Sequence, residues 1–270
     1  MMKMISSLAL AALVAAPLST QAEDTKRAAK TDRGAVRMSS NTVIGSDVND
    51  ASGEAIADVN TIILDNEGNA HYLVLGVGGL AGVGETEVAV PYKAVKTNCV
   101  MEDGEKVCKM TLPMSAEQLE KAPELEDDQY AELTDKGWRE RNAKFFNSDA
   151  TQLTKNNMLA VSELTNLDIV GADKEEIGVL DAVILNPQTR KAEFAIIGYG
   201  GTLGIDKSYT AVPFKAIKFV RTTEGELQAS MNATEKTLQA ALKVTPSNYS
   251  ELDQAKNRDR IKEAFGHADE

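Results

Sequence analysis

Histidine is almost missing from this 270-residue chain, and its two copies, His71 and His267, are far apart in sequence. That scarcity removes the usual ligands of a zinc centre and the general base of Ser-His-Asp and Cys-His nucleophiles. Cysteine is as sparse: Cys99 and Cys108 stand alone, with no Cys-x-x-Cys at a helix start to lower a thiol pKa. Basic residues are in deficit, 29 Lys and Arg against 41 Asp and Glu, and no run of them is interleaved with aromatics. A chain of net charge −12 repels nucleic acid on average, so no nucleic-acid partner is expected. After the N-terminus no segment approaches the ~18 apolar residues that a membrane span requires. Paired carboxylates stay open among so many acids, although most acids belong to solvated surface.

What is present starts with a leader. Lys3 precedes an apolar stretch from Ile5 to Ala16, broken by Ser6 and Ser7 and ended by Pro17. Thr20-Gln21-Ala22 supplies small residues at the minus-three and minus-one positions, so residues 1–22 read as a signal peptide cleaved before Glu23. An uncleaved anchor helix is the rival reading, and the apolar core is short for it. The expected location is the periplasm, with no stable membrane span after cleavage and a flexible segment at 23–40.

The body of the chain repeats itself. Gly76 to Lys96 aligns with Gly198 to Lys218 without a gap at an offset of 122, with ten of 21 positions identical. The shared residues include Gly78/Gly200, Gly79/Gly201, Gly82/Gly204, Pro91/Pro213 and Lys93/Lys215. Upstream the offset is 121, as in Ile56/Ile177 and Ile63/Ile184, and the shift falls in a turn, where insertions cost little.

Each copy reads as short strands. Ile56 to Asp65 and Ala70 to Val77 are rich in β-branched and aliphatic residues, with Asn66-Glu67-Gly68-Asn69 between them as a hairpin loop. Closely spaced strands without a long amphipathic helix between them predict a small barrel or sandwich in each half. Ser115 to Lys121 and Asp128 to Phe146 carry helix formers and charge, with a break at Thr134 or Asp135, and read as a helical linker. Ala233 to Val244 echoes the helix near Ser115. Tyr249 to Phe265 reads as a charged C-terminal helix whose sparse apolar positions predict weak packing.

Ile177-Gly178-Val179-Leu180-Asp181, then a strand pair, then Gly198-Tyr199-Gly200-Gly201, then Val212-Pro213-Phe214-Lys215-Ala216-Ile217 resembles the PRC-barrel domain family. The first half carries a weaker counterpart at Ile56-Ala57-Asp58-Val59. The resemblance implies two tandem six-stranded β-barrels, mainly β overall, with a helical linker and a C-terminal helix. It also implies a protein-binding module rather than an enzyme, and it brings no fixed catalytic or binding residues. The expected layout is a first repeat at 41–113, a charged helical linker at 114–160, a second repeat at 161–232 and a helical segment at 233–270.

The remaining motifs are weighed residue by residue. The glycines from Gly76 to Gly84 look superficially like a phosphate loop, but Glu85 and a β-like Val88-Ala89-Val90-Pro91 follow them, where a phosphate loop opens a helix. They read instead as positive-φ positions of a tight barrel. Pro91 and Pro213 end strands, and Lys93 and Lys215 follow in a short turn. Trp138 reads as packing against a barrel, with a binding anchor as the alternative. A two-residue turn at Asp103-Gly104 pairs 102 with 105 and, three steps out, Cys99 with Cys108 at a non-hydrogen-bonded position that suits a disulfide. The matching hairpin of the second half turns at Glu224-Gly225 and sets Arg221 opposite Gln228, so the bridge belongs to one copy.

The function expected is a non-enzymatic exported binding or scaffold protein with an unidentified envelope protein as partner and no cofactor. The alternative is a small-ligand or metal-ion binder with its site between the barrels. Thiol titration of protein purified from its native compartment is expected to find no free thiol in the unfolded, unreduced chain; two free thiols would contradict the bridge.

Overall fold

The computed structural model describes residues 36–78, 84–103, 105–126, 130–200, 207–246 and 249–265. The leader, residues 1–22, lies outside them. Among the described residues fifteen strands run in chain order: β1 (Met38–Ser39), β2 (Asp47–Asn49), β3 (Ala55–Asp65), β4 (Ala70–Val77), β5 (Thr86–Pro91), β6 (Lys96–Glu102), β7 (Glu105–Thr111) and β8 (Glu124–Leu125) in the first half. The second half holds β9 (Met158–Ala160), β10 (Asp168–Val170), β11 (Glu176–Asn186), β12 (Lys191–Tyr199), β13 (Ser208–Pro213), β14 (Ile217–Arg221) and β15 (Leu227–Met231).

Each half contributes six strands to a sheet of its own, β2 to β7 and β10 to β15. The spatial orders, β6-β7-β2-β3-β4-β5 and β13-β12-β11-β10-β15-β14, are the same topology, with a parallel contact of β2 with β7 and of β10 with β15. The sheets are not closed barrels, which corrects the expectation of closure. The two ends of each sheet, β5 with β6 and β13 with β14, follow one another in sequence but are not hydrogen-bonded among the described residues. The chain turns that corner through the 3-10 turns Tyr92–Ala94 and Phe214–Ala216, each entered from a proline at φ −53 or −56. Proline has no N–H to continue a ladder, so the motif that both copies share builds the corner at which the sheet stays open.

The long strands β3 and β11 bend where they must. Each pairs with its successor through a register shift, at Val59/Thr61 and at Leu180/Ala182, which leaves Asn60 and Asp181 as bulge residues at matching positions. A bulge adds local twist and lets an eleven-residue strand wrap a small core. Ile62, Ile63 and Leu64 in succession are fully buried, as are Val183, Leu185 and their neighbour Ile184 at 1%. Runs of this kind, without alternation, mark strands covered on both faces.

The second cover of the first sheet comes from the segment read as a linker. Ile63, Tyr72, Val74 and Ala89 pack against Leu125, Tyr130, Leu133, Trp138, Leu153 and Met158. Residues 114–160 therefore hold more than linking helices: β8 pairs with β5, β9 pairs with β3, and helix Lys136–Phe145 starts at Asp135, whose side chain caps Trp138 N–H at 2.6 Å. The break expected at Thr134 or Asp135 is that cap. The C-terminal helix Ala255–Phe265 also packs more firmly than its sparse apolar positions predict. Ile261 is fully buried, Phe265 and Arg258 nearly so, and Arg258 Nη1 donates to Leu252 O at 2.9 Å, which gives the buried guanidinium a partner.

These two helical segments are copies of each other. At an offset of 119, Tyr130-Ala131-Glu132-Leu133 matches Tyr249-Ser250-Glu251-Leu252, followed by Arg139/Arg258, Arg141/Arg260 and Phe146/Phe265. Both tyrosines take a left-handed backbone, φ 57 and 51, before a 3-10 turn, and Leu133 and Leu252 are fully buried. Arg139 Nη1 donates to Leu133 O at 3.2 Å, as Arg258 does to Leu252 O. The repeat thus runs through the helices instead of stopping at the β region.

The two halves interlock. β1, the first strand of the first half, pairs with β11 of the second (Met38↔Leu185, Ser39↔Ile184), and β9, the first strand of the second half, pairs with β3 of the first (Ile63↔Ala160, Leu64↔Leu159). The end of the segment expected to be flexible, residues 36–40, is accordingly in place, with Arg37 1% exposed and Met38 fully buried. The hairpin tips also meet: Asn69 bridges Lys191, Ala70 N–H donates to Arg190 O at 2.9 Å, and Ala192 N–H donates to Gly68 O at 2.8 Å. One continuous core takes side chains from both halves, and residues 34–270 cluster as a single unit.

Two predictions concern the β3–β4 tip. Gly68 has φ +78, and a Cβ there would stand 2.8 Å from Ala192 O of the other repeat. Gly68→Ala should therefore cost about 1–3 kcal/mol in thermal unfolding, whereas Gly53→Ala, at φ +93 in open space, should cost less. Asp65 organises the same tip: its carboxylate accepts from Glu67 N–H (3.0 Å), Asn69 N–H (2.8 Å) and Asn69 Nδ2 (2.8 Å), and pairs with His71 Nε2 at 2.9 Å. Burial opposes ionisation, but the bonds from His71 and Asn69 outweigh it and hold the carboxyl at about 2, below an ordinary 3.8. Because the folded value is depressed, this stabilisation is full above the unfolded value and is lost as pH falls toward 2. Melting curves between pH 5 and 2 should show a steeper loss for the parent than for Asp65→Asn.

Candidate interaction surface

The residues shared by both copies sit at corners and seams. Gly78 and Gly200 follow β4 and β12 with φ +74 and +65, while Gly79, Gly82, Gly201 and Gly204 lie outside the described residues. Tyr92 and Phe214, next to the corner prolines, insert into the core at 1% exposure, and burial pushes the Tyr92 phenol up to about 12. Lys93 Nζ pairs with Asp149 at 2.7 Å in the connection between the halves, and Lys215 Nζ lies 3.7 Å from Glu67 of the other repeat. Exposed pairs of this kind contribute little, so the lysines mark the seam more than they hold it.

Buried polar contacts carry more of that seam. Arg37 Nε meets Glu193 at 2.7 Å with the arginine side chain 1% exposed, and Glu193 also accepts from Asn186 Nδ2 at 2.8 Å. Glu193 stands where the first copy has His71. Asp253, in the C-terminal 3-10 turn Ser250–Asp253, accepts Arg37 N–H at 2.9 Å and pairs with Lys106 Nζ at 3.0 Å. Lys106 is on the β6–β7 hairpin, whose register is the one its turn dictates: Glu102↔Glu105, Met101↔Lys106, Val100↔Val107 and Cys99↔Cys108. The cysteines form a disulfide with Cα atoms 4.0 Å apart, so the stapled arm of the first repeat reaches the last segment of the second.

The second hairpin departs from the expected register. Arg221 faces Leu227, and Gln228 faces Val220. The loop is one residue longer than a two-residue turn: Gly225 N–H donates to Thr222 O, Thr222 N–H donates to Glu226 O, and Gly225 takes φ +96. That is the three-residue loop with a glycine bulge, which shifts pairing by one. At the position that matches Cys99, Arg221 makes two bonds to Glu163, at 2.8 and 3.2 Å.

Trp138 is packed. It is 4% exposed, stands edge-on to Tyr72 at 6.5 Å, and its Nε1 donates to Glu124 O at 3.0 Å. One carboxylate pair does assemble, Asp47 opposite Asp58 across β2 and β3 with Glu85 near. Burial first and then Asp47 raise the Asp58 carboxyl, yet both residues are exposed. Among the described residues no group of three or more His, Cys, Asp or Glu is placed to hold a metal ion. Side chains of both repeats share one core, while the glycine segments expected to line a cleft between them lie largely outside the described residues.

The outer face of the second sheet differs from the first in a way that invites contact. Val170 on β10 and Val220 on β14 are 39% and 44% exposed, and with Leu167 and Leu227 they line a groove of about 550 Å³. Registers place Asn49 and Asn98 at the matching positions of the first sheet. β14 ends its sheet, with no strand on its outer side among the described residues. Sequence reading missed this face because isolated exposed valines have no periodic signature; only the cross-strand register brings residues 50 positions apart together.

Among the described residues no helix is long and apolar enough to cross a membrane. A search of curated proteins finds no match. The model of the PRC-barrel domain matches residues 36–105 and 156–229, starting in each half just before the exchanged strand and ending within the last hairpin. With both halves matched and the same six-stranded topology in each, the chain belongs to the PRC-barrel domain family.

Proposed function

We propose that the protein is an exported, non-catalytic binding module that docks another envelope protein on the outer face of its second repeat. The observation that carries this reading is the groove on β10, β15 and β14, in which Val170 and Val220 are exposed among Asp168, Gln228 and Ser230 beside the free edge of β14. An extended partner segment gains backbone hydrogen bonds by adding to such an edge and specificity by placing an apolar side chain in the adjoining groove. Family membership supports a module that binds proteins without catalysis. Export is supported by the leader at residues 1–22 and by a disulfide, which persists in oxidising compartments.

The test is capture from envelope extract with the parent protein, the double variant Val170→Asp/Val220→Asp, and Asn98→Asp on the matching face of the first repeat. All three changes are at the surface, and each should change the unfolding free energy by no more than about 0.5 kcal/mol. A stoichiometric partner is expected with the parent and Asn98→Asp, reduced at least tenfold with the double variant. Equal capture by all three would remove the second repeat's face from the proposal, and no reproducible partner in repeated captures would overturn the binding reading itself.

A further inference from the structure

The exchange of first strands has a thermodynamic consequence. In each sheet the long central strand is paired along one edge by its successor, but the short strand on its other edge covers only part of it. β2 pairs with β3 at residues 55–58, and β10 pairs with β11 at residues 176–179. The remainder of each edge, Ile63–Asp65 and Ile184–Leu185, is taken by β9 and β1 from the opposite half. Between the two pairings the helical turns Ser40–Val43 and Val161–Leu164 cross the seam, and each places a polar group on the other half's long strand. Val183 N–H donates to Ser40 Oγ at 3.0 Å, and Ser162 N–H donates to Thr61 Oγ1 at 3.1 Å. Met38, Val43, Val161 and Leu164 are all fully buried.

A repeat standing alone would leave an unpaired central strand edge, an orphaned tip at Gly68–Ala70 or Arg190–Ala192, and this apolar surface in water. Burying unpaired backbone groups and exposing core side chains are both costly, and an open central edge is prone to pair with another chain. The contact has the reciprocity of a two-fold dimer interface, in which the same segment of each partner meets the same surface of the other.

We infer that neither repeat is a self-sufficient fold: the pair is the folding unit, an intrachain counterpart of a strand-exchanged dimer, in which each half is the obligate binding partner of the other. The peptide between Phe146 and Met158 tethers the halves but does not hold them together once they are folded. Lys93–Asp149 is an exposed pair, and of this stretch Leu153 is the part that enters the core.

A protease recognition sequence inserted between Asp149 and Ala150 of the full chain tests this, since both residues are exposed and lie in no helix or strand. After cleavage of the folded protein, the two halves should co-elute at the intact mass and unfold in one transition that shifts to higher temperature with protein concentration, as for any two-chain complex. Halves that separate on a native column, or two transitions independent of concentration, would overturn the inference. A second measurement leaves the chain uncut. Ser40→Ala removes one hydrogen bond made by the first repeat and should speed amide exchange about tenfold along β11 of the second repeat, beyond Val183 itself. Exchange that changes only within residues 36–60 would again overturn it.

Discussion

Everything else in the structure depends on how the open edges of β3 and β11 are paired. An eleven-residue strand bent by a bulge is too long for the three-residue strand beside it, and a half-paired central strand is not a stable object in water. The chain solves this twice with the same device, lending the first strand of each half to the other. Once β1 lies on β11 and β9 on β3, the hairpin tips at Gly68 and Arg190 are brought together, the two cores merge, and Arg37 is carried into the seam, where Glu193 and Asp253 must meet its charge and its N–H. Gly68 is constrained by the same contact, since the backbone of Ala192 leaves no room for a side chain there.

How far the sequence reveals this varies from element to element. The β3–β4 hairpin is legible because Ile56 to Asp65, rich in β-branched and aliphatic residues, meets an Asn-Glu-Gly-Asn turn. The disulfide is legible because a two-residue turn at Asp103-Gly104 dictates every pair outward to Cys99 and Cys108. β1 and β9 are illegible: two or three residues such as Met38-Ser39 carry no period, and their partners lie more than 90 positions away. The helical copies, Tyr130-x-Glu-Leu and Tyr249-x-Glu-Leu, are hidden by a change of offset from 122 to 119. The change falls after the shared corner, where the stapled hairpin of the first half is longer in its strands than its counterpart. A linker and a weakly held tail are what those segments look like when that change goes unrecognised. The register error at Arg221 has a smaller cause, since Glu224-Gly225 fits a two-residue turn as well as the three-residue loop that Gly225 actually ends.

The two copies share a frame but fix their last hairpins by different chemistry. In the first, Cys99–Cys108 ties β6 to β7 and leaves Lys106 to reach Asp253. In the second, Arg221 ties β14 to Glu163, on the helical turn that crosses to the first repeat. The covalent staple fixes the first hairpin internally, while the ion pair fixes the second to its neighbour. They differ in sensitivity, because the pair responds to salt and the staple to reductant.

That difference bears on where a partner would settle. On the first sheet the corresponding positions are Asn49 and Asn98, and the arm beyond them, which exposes Met101, is engaged with Asp253. On the second sheet the same two positions are Val170 and Val220, and Leu227 opens onto the same groove. An interlocked pair has no freedom to place both faces against one surface unless that surface repeats with matching symmetry. Divergence at these few positions gives the two outer faces different chemistry, with exposed valines on one and asparagines on the other, while the exchanged strands join both sheets to one core.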